Sequence, residues 1–105
     1  MIKGIGIDIC DLNRLKNIDL LAKKILHEDE YQVFLTKKTL KHQREFLGGR
    51  FAVKEAYVKA CGLKDFKNIC CLNDLNGKPY IVNESCHVSI SHENDYVIAF
   101  VVAEY

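Results

Sequence analysis

Three charged residues offer chemistry in this 105-residue chain: Asp8, Glu55 and Lys59. Asp8 closes the run Gly4-Ile5-Gly6-Ile7-Asp8. Strand alternation puts Ile5, Ile7 and Ile9 on one face and Gly4, Gly6, Asp8 and Cys10 on the other. Two glycines beside a carboxylate leave that face open to a second backbone or a ligand. Glu55 and Lys59 lie four apart in a segment where Leu47, Phe51, Val53, Ala56, Tyr57, Val58 and Ala60 leave little polar surface. Charges in such a setting must be paired or hold a metal, because unpaired burial is costly. Two carboxylates suit magnesium, which takes one or two of them and completes its shell with waters and substrate phosphates. Each residue also has a structural use, Asp8 as a strand-end acceptor and Glu55 with Lys59 as a helix ion pair. His92, ending the run from His87, can donate to a phosphate, move a proton, or simply pack. Asn76-Gly77-Lys78-Pro79 is a turn with a lysine at its tip. Gly4-Ile5-Gly6 lacks the spacing of a dinucleotide or P-loop fingerprint.

The elements that must position these residues form an α+β pattern, with helices early and antiparallel strands late. Ile2 to Cys10 reads as a strand. Asp11 caps a short helix; Leu12, Leu15, Ile18, Ala22 and Ile25 follow at helical spacing, with a break or none near Asp19, and Arg14, Lys23 and Lys24 lie on its polar side. His27-Glu28-Asp29-Glu30 starts a second helix, where the dipole favours acidic residues. The spacing predicts a long helix from about Thr39 to Cys61, stopped by Gly62. Strands are predicted over Ile69–Leu72, Tyr80–Val82, His87–Ser91 and Tyr96–Glu104, the last two joined as a hairpin through Glu93-Asn94-Asp95. The final strand is apolar without alternation, so both its faces are expected to be covered, one of them by a neighbouring subunit.

The chain is expected to form one domain over residues 1–105. A signal peptide is not expected, and the longest apolar run, Tyr96–Ala103, is far too short to span a membrane. Five cysteines, Cys10, Cys61, Cys70, Cys71 and Cys86, include no C-x-x-C pair. They fit neither a disulfide framework nor a zinc site, and are expected to be free thiols in a reducing cytoplasm. Net charge is +1, yet Lys37–Lys64 holds eight basic and two acidic residues. Such a stripe suits an anionic partner, whether phosphate ligand, acidic protein or nucleic acid, or else a solvated helix face. Nucleic acid would call for aromatic residues presented to bases, whereas Phe46, Phe51 and Tyr57 fall in core positions.

Four blocks in order, Gly4–Ile9, Phe46–Cys61 (FLGGRFAVKEAYVKAC), Asn76–Tyr80 and His87–His92 (HVSISH), resemble the holo-acyl-carrier-protein synthases, the small trimeric class of 4′-phosphopantetheinyl transferases. The resemblance covers essentially the whole chain, and its helix block is specific. It implies helices packed on a small antiparallel sheet. It implies transfer of phosphopantetheine from coenzyme A to a serine of an apo acyl carrier protein, in support of fatty acid biosynthesis. Asp8 and Glu55 match the family's magnesium-binding carboxylates. Arg50, Lys54 and Lys59 match basic positions near the coenzyme A phosphates. Gly77, Lys78 and Pro79 match a loop near the nucleotide, and His92 matches a histidine near the cofactor. Arg14, Lys23 and Lys24 match the basic surface that receives the carrier protein. The resemblance further implies a homotrimer with active sites between subunits, and no role for nucleic acid or membrane. The expected catalytic pair is Lys59, stabilising phosphoryl charge, and Glu55, as base directly or through a water it orients.

Two departures stand out. Family members usually carry a longer glycine-rich loop after the long helix, where this chain has only Cys61–Phe66. The stretch between Pro79 and His87 is also trimmed. Both changes fall at the nucleotide end of the expected site. They also leave open a non-catalytic domain that kept the fold and lost the chemistry.

Overall fold

The computed structural model describes residues 1–105. Its centre is a three-stranded antiparallel sheet in the order β1 (Ile2–Asp11), β5 (Tyr96–Glu104), β4 (Cys86–Glu93). A 22-residue helix, α3 (Leu40–Cys61), crosses one face of this sheet. The shorter helices α1 (Ile18–Ile25) and α2 (Glu28–Thr36) pack on α3. A two-stranded ribbon, β2 (Cys71–Asn73) with β3 (Pro79–Ile81), adjoins β4. The expected α+β architecture is therefore the observed one, with boundaries moved by a residue or two, as fraying ends allow.

The core lies between α3 and the sheet. Val97, Ala99, Val101 and Ala103 of β5 meet Leu47, Ala52, Val53, Ala56 and Ala60 of α3, all buried. Small residues bring the helix close. Gly4 and Gly6 face α3 so tightly that an added Cβ would sit 2.0 Å from the carbonyl oxygen of Ala60 and 1.9 Å from that of Ala56. The open face read from the glycines thus receives a second backbone, the helix itself. Gly6→Ala should cost about 3 kcal/mol, because backbone on both sides must move, lowering the Tm by roughly 10 °C or more. Gly49→Ala, whose Cβ would meet nothing nearer than 3.9 Å, is the control expected to hold or raise the Tm. Equal melting points for the two variants would contradict the packing described.

One expectation is refined and another changes. The helical segment after Asp11 does break, two residues before Asp19: it divides into a 3₁₀ turn, Leu12–Arg14, and α1, with Asn17 in a left-handed conformation (φ 53°) between them. The last strand does alternate in burial. Val97, Ala99, Val101 and Ala103 point to α3, while Ile98, Phe100 and the half-buried Val102 point outward. In register beside them, Ile9 pairs with Ile98, Ile7 with Phe100 and Ile5 with Val102. These three isoleucines are 55–59 % exposed, so the sheet presents a contiguous apolar outer face. The hydrophobic run of β5 hid its period because both faces are apolar, although only one is covered within the chain.

Candidate active site

The long helix carries two polar strips. Glu55 and Lys59, four residues apart, share one side. Arg50 and Lys54, also four apart, share another, because Arg50 and Glu55 stand roughly 140° apart at 3.6 residues per turn. The expected site is therefore divided into two groups within one chain.

The first group sits where β1 crosses α3. Lys59 donates to the Ile7 carbonyl at 2.9 Å and stands 3.4 Å from Asp8 Oδ1. The Asp8 side chain is 19 % exposed and that of Lys59 54 % exposed, so this long ion pair is wet and weak, and both groups can turn to a ligand. Two residues along β1, from Gly4 to Gly6, correspond to one turn of α3, from Ala60 to Ala56. One more step of the same progression along β1 matches Asp8 with Ala52, three residues before Glu55 on α3. Glu55 is half-buried and makes no ion pair. Asp8 is only loosely paired and Glu55 is free, and carboxylate oxygens of this kind are the hard donors that magnesium takes together with water and phosphate.

The second group lines a cleft of about 630 Å³ between α3, β4 and the loop before β3. Arg50, Gly77, Pro79 and His92 all border it. Arg50 is held in place: Nε donates to the Cys71 carbonyl at 3.1 Å, Nη2 donates to Asn73 Oδ1 at 2.8 Å, and the guanidinium lies 4.4 Å over the Phe46 ring. The loop is shaped by Asp74, whose Oδ1 accepts from the backbone N–H groups of Asn76 and Lys78 at 2.8 and 2.9 Å. Gly77 takes φ 82°, which a side chain would resist. The spacing marks Asn73 and Asp74 as the start of a turn and Phe46 as core, but nothing local in the sequence ties Asn73 or Phe46 to Arg50.

Lys54 requires a correction. It is fully buried and cannot reach a ligand. Its ammonium bonds Glu30 Oε1 at 2.6 Å, the Phe66 carbonyl at 2.9 Å and the Ile69 carbonyl. Burial pushes its pKa down, and Glu30 opposes that shift. Lys78 also differs from its neighbours, bordering a separate depression with Tyr80 and His87. Arg14, Lys23 and Lys24 are exposed. Arg14 and Lys16 flank a shallow groove lined by Ile9, Leu15, Leu21 and Phe51.

All five cysteines are unpaired. His27, Asp29 and Cys70 bring possible ligand atoms within 4.8 Å of one another. There, however, His27 Nδ1 already accepts the Asp29 N–H, capping α2. The Cys70 thiol is pushed up to about 11 by burial, then by Glu30 and Asp29, against the thiolate a metal needs.

Comparison with known proteins decides the family. Residues 4–101 match the model of the 4′-phosphopantetheinyl transferase superfamily. The chain belongs to that superfamily. Among its phosphopantetheinyl transferase relatives, the holo-[acyl-carrier-protein] synthase of Staphylococcus haemolyticus is 43 % identical over 99 % of this chain and 98 % of its own. That of a Geobacillus species is 45 % identical with the same coverage. The crystal structure of a Bacillus anthracis holo-(acyl-carrier-protein) synthase in complex with CoA (3′,5′-ADP) superposes with a TM-score of 0.90 at 42 % identity, covering 98 % of this chain and 96 % of the other. The alignments with the first two phosphopantetheinyl transferases run to 116 and 117 positions. Those relatives therefore carry residues that this shorter chain lacks.

Proposed function

We propose that this chain, as one transferase domain, moves 4′-phosphopantetheine from coenzyme A to a serine of an apo acyl carrier protein. The reaction depends on magnesium, releases adenosine 3′,5′-bisphosphate and serves fatty acid biosynthesis in the cytoplasm. The observation that carries this reading is the contact of Asp8 with Lys59 where β1 crosses α3, with Glu55 four residues before Lys59 on the same helix and free of any ion pair. Asp8 and Glu55 would hold the metal. When bound there, magnesium supplies charge neutralisation for the pyrophosphate. Lys59 stabilises charge gathering on the phosphoryl oxygens as the serine attacks the β-phosphorus and the bisphosphate departs. Glu55, through a water it orients, receives the serine proton. The carrier protein brings its own nucleophile, so the chain needs none; the Cys70 thiol beside His27 is pushed up by burial, and His27 Nδ1 is engaged in capping α2. Arg14, with Lys23 and Lys24 nearby on α1, offers an acidic carrier a basic approach beside Asp8.

The second half of the site supports a trimer. Arg50, Gly77, Pro79 and His92 border a cleft on a different side of α3 from Glu55 and Lys59. The apolar outer face of β1 and β5 supplies surface on which copies can associate, so one subunit's cleft would hold the nucleotide while its neighbour's carboxylates meet the pyrophosphate.

The direct test mixes the protein with apo carrier protein, coenzyme A and magnesium, then weighs the carrier. One phosphopantetheine unit should be gained, and none when a chelator replaces magnesium. A carrier of unchanged mass, with coenzyme A nevertheless bound by the protein, would favour a domain that kept the fold without the chemistry.

A further inference from the structure

The most fully engaged polar group in the core lies behind the cleft. Glu30 and Lys54 are both 0 % exposed. Each of the three ammonium donors of Lys54 is used, on Glu30 Oε1 and on the carbonyls of Phe66 and Ile69. Glu30 Oε1 also accepts the His27 N–H at 2.8 Å, and Oε2 accepts the Cys71 N–H at 2.9 Å. A buried ion pair of this kind is a poor source of net stability, since apolar residues of equal volume would join α2 to α3 as well. What apolar residues could not do is grip the main chain from Phe66 to Cys71.

That grip leads to the ligand side. Cys71 is the junction: its N–H is bonded to Glu30, and its carbonyl accepts from Arg50 Nε. Asn73, two residues on, accepts from Arg50 Nη2. Both anchors of Arg50 therefore lie on β2, a strand of only three residues in a two-stranded ribbon. Such a ribbon holds its position weakly without outside support. Two N–H groups of the guanidinium are committed to β2, and the others remain for an anion in the cleft.

We propose that Glu30, together with Lys54, is a positioning pair for Arg50: the buried pair fixes β2, and β2 aims the guanidinium at a phosphate of the nucleotide. The inference rests on the assignment of the cleft as the nucleotide half of the coenzyme A site.

The experiment is a double-mutant cycle, read by calorimetric binding of adenosine 3′,5′-bisphosphate to the full chain. Glu30→Gln keeps side-chain volume and an acceptor for Lys54, but turns an NH₂ group toward the Cys71 N–H. It should weaken binding about tenfold when Arg50 is present and have no further effect in the Arg50→Met background. Glu30→Gln combined with Lys54→Met removes both buried charges. It provides the same comparison should the single variant fold poorly, and the same loss is expected. Equal losses in both Arg50 backgrounds would overturn the proposal, because they would report general loosening of the fold. Unchanged affinity in Glu30→Gln would overturn it too, leaving the cleft assignment intact. If Arg50→Met itself binds normally, the cleft assignment fails and the positioning role falls with it.

Discussion

Asp8→Ala combined with Glu55→Ala is expected to lower the transfer rate on the order of a thousandfold, while the protein stays folded. The size follows from the proposed role: both hard ligands would be lost where pyrophosphate charge is to be neutralised and the leaving group fixed, a contribution of several kcal/mol. The tolerance of the fold follows from the geometry. Asp8 has only the long contact to Lys59, and Glu55 makes no ion pair. Neither is a buried charge whose removal strands a partner, so the alanine variants should melt near the parent temperature. Mass spectrometry of the carrier protein over time measures the rate, and circular dichroism measures the fold. A doubly substituted protein that still modifies its carrier at the parental rate would remove Asp8 and Glu55 from the mechanism.

Ile7→Lys is expected to yield a folded monomer at least about a hundredfold less active. Ile7 is 55 % exposed and lies in register beside Phe100, in the middle of the apolar outer face. Within one chain its replacement by lysine removes little packing. Within an assembly it buries an unpaired ammonium among isoleucines, at a cost of several kcal/mol for each copy. Because the cleft with Arg50 and the edge with Glu55 lie on different sides of α3, losing the neighbour should also separate the two halves of the site. Sedimentation velocity gives the oligomeric state and the carrier assay gives the rate. A fully active monomeric variant would show that one chain completes the site alone.

How much of this was legible in advance differs from residue to residue. The stop at Gly62, the acidic start of α2 and the turn from Asn73 to Pro79 were readable because each depends on neighbours in sequence. The glycines of β1 announced a close approach without naming the partner, which proved to be the carbonyls of Ala56 and Ala60. Lys54 was misplaced for a related reason. The family's helix block groups it with Arg50 and Lys59, and a basic residue there looks like a phosphate ligand. Its actual partner, Glu30, lies 24 residues away on another helix, and nothing local couples them. The alternation of β5 was hidden by residues that are apolar on both faces, since periodicity reports a difference between faces and here the difference is small.

The sequence by itself determined the local facts: an α+β order of elements, a carboxylate on the glycine-bearing face of a strand, a Glu–Lys step on a buried helix, and a set of motifs specific enough to indicate the family. These are legible because caps, turns and helical spacing act over a few residues. Tertiary structure alone decided which charges meet. It set Lys59 against Asp8, withdrew Lys54 into the core against Glu30, and turned Arg50 into a cleft away from Glu55. The physical reason is that a charge is assigned by its surroundings in space, through burial, donors and acceptors contributed by distant segments, and these exist only once the chain has packed.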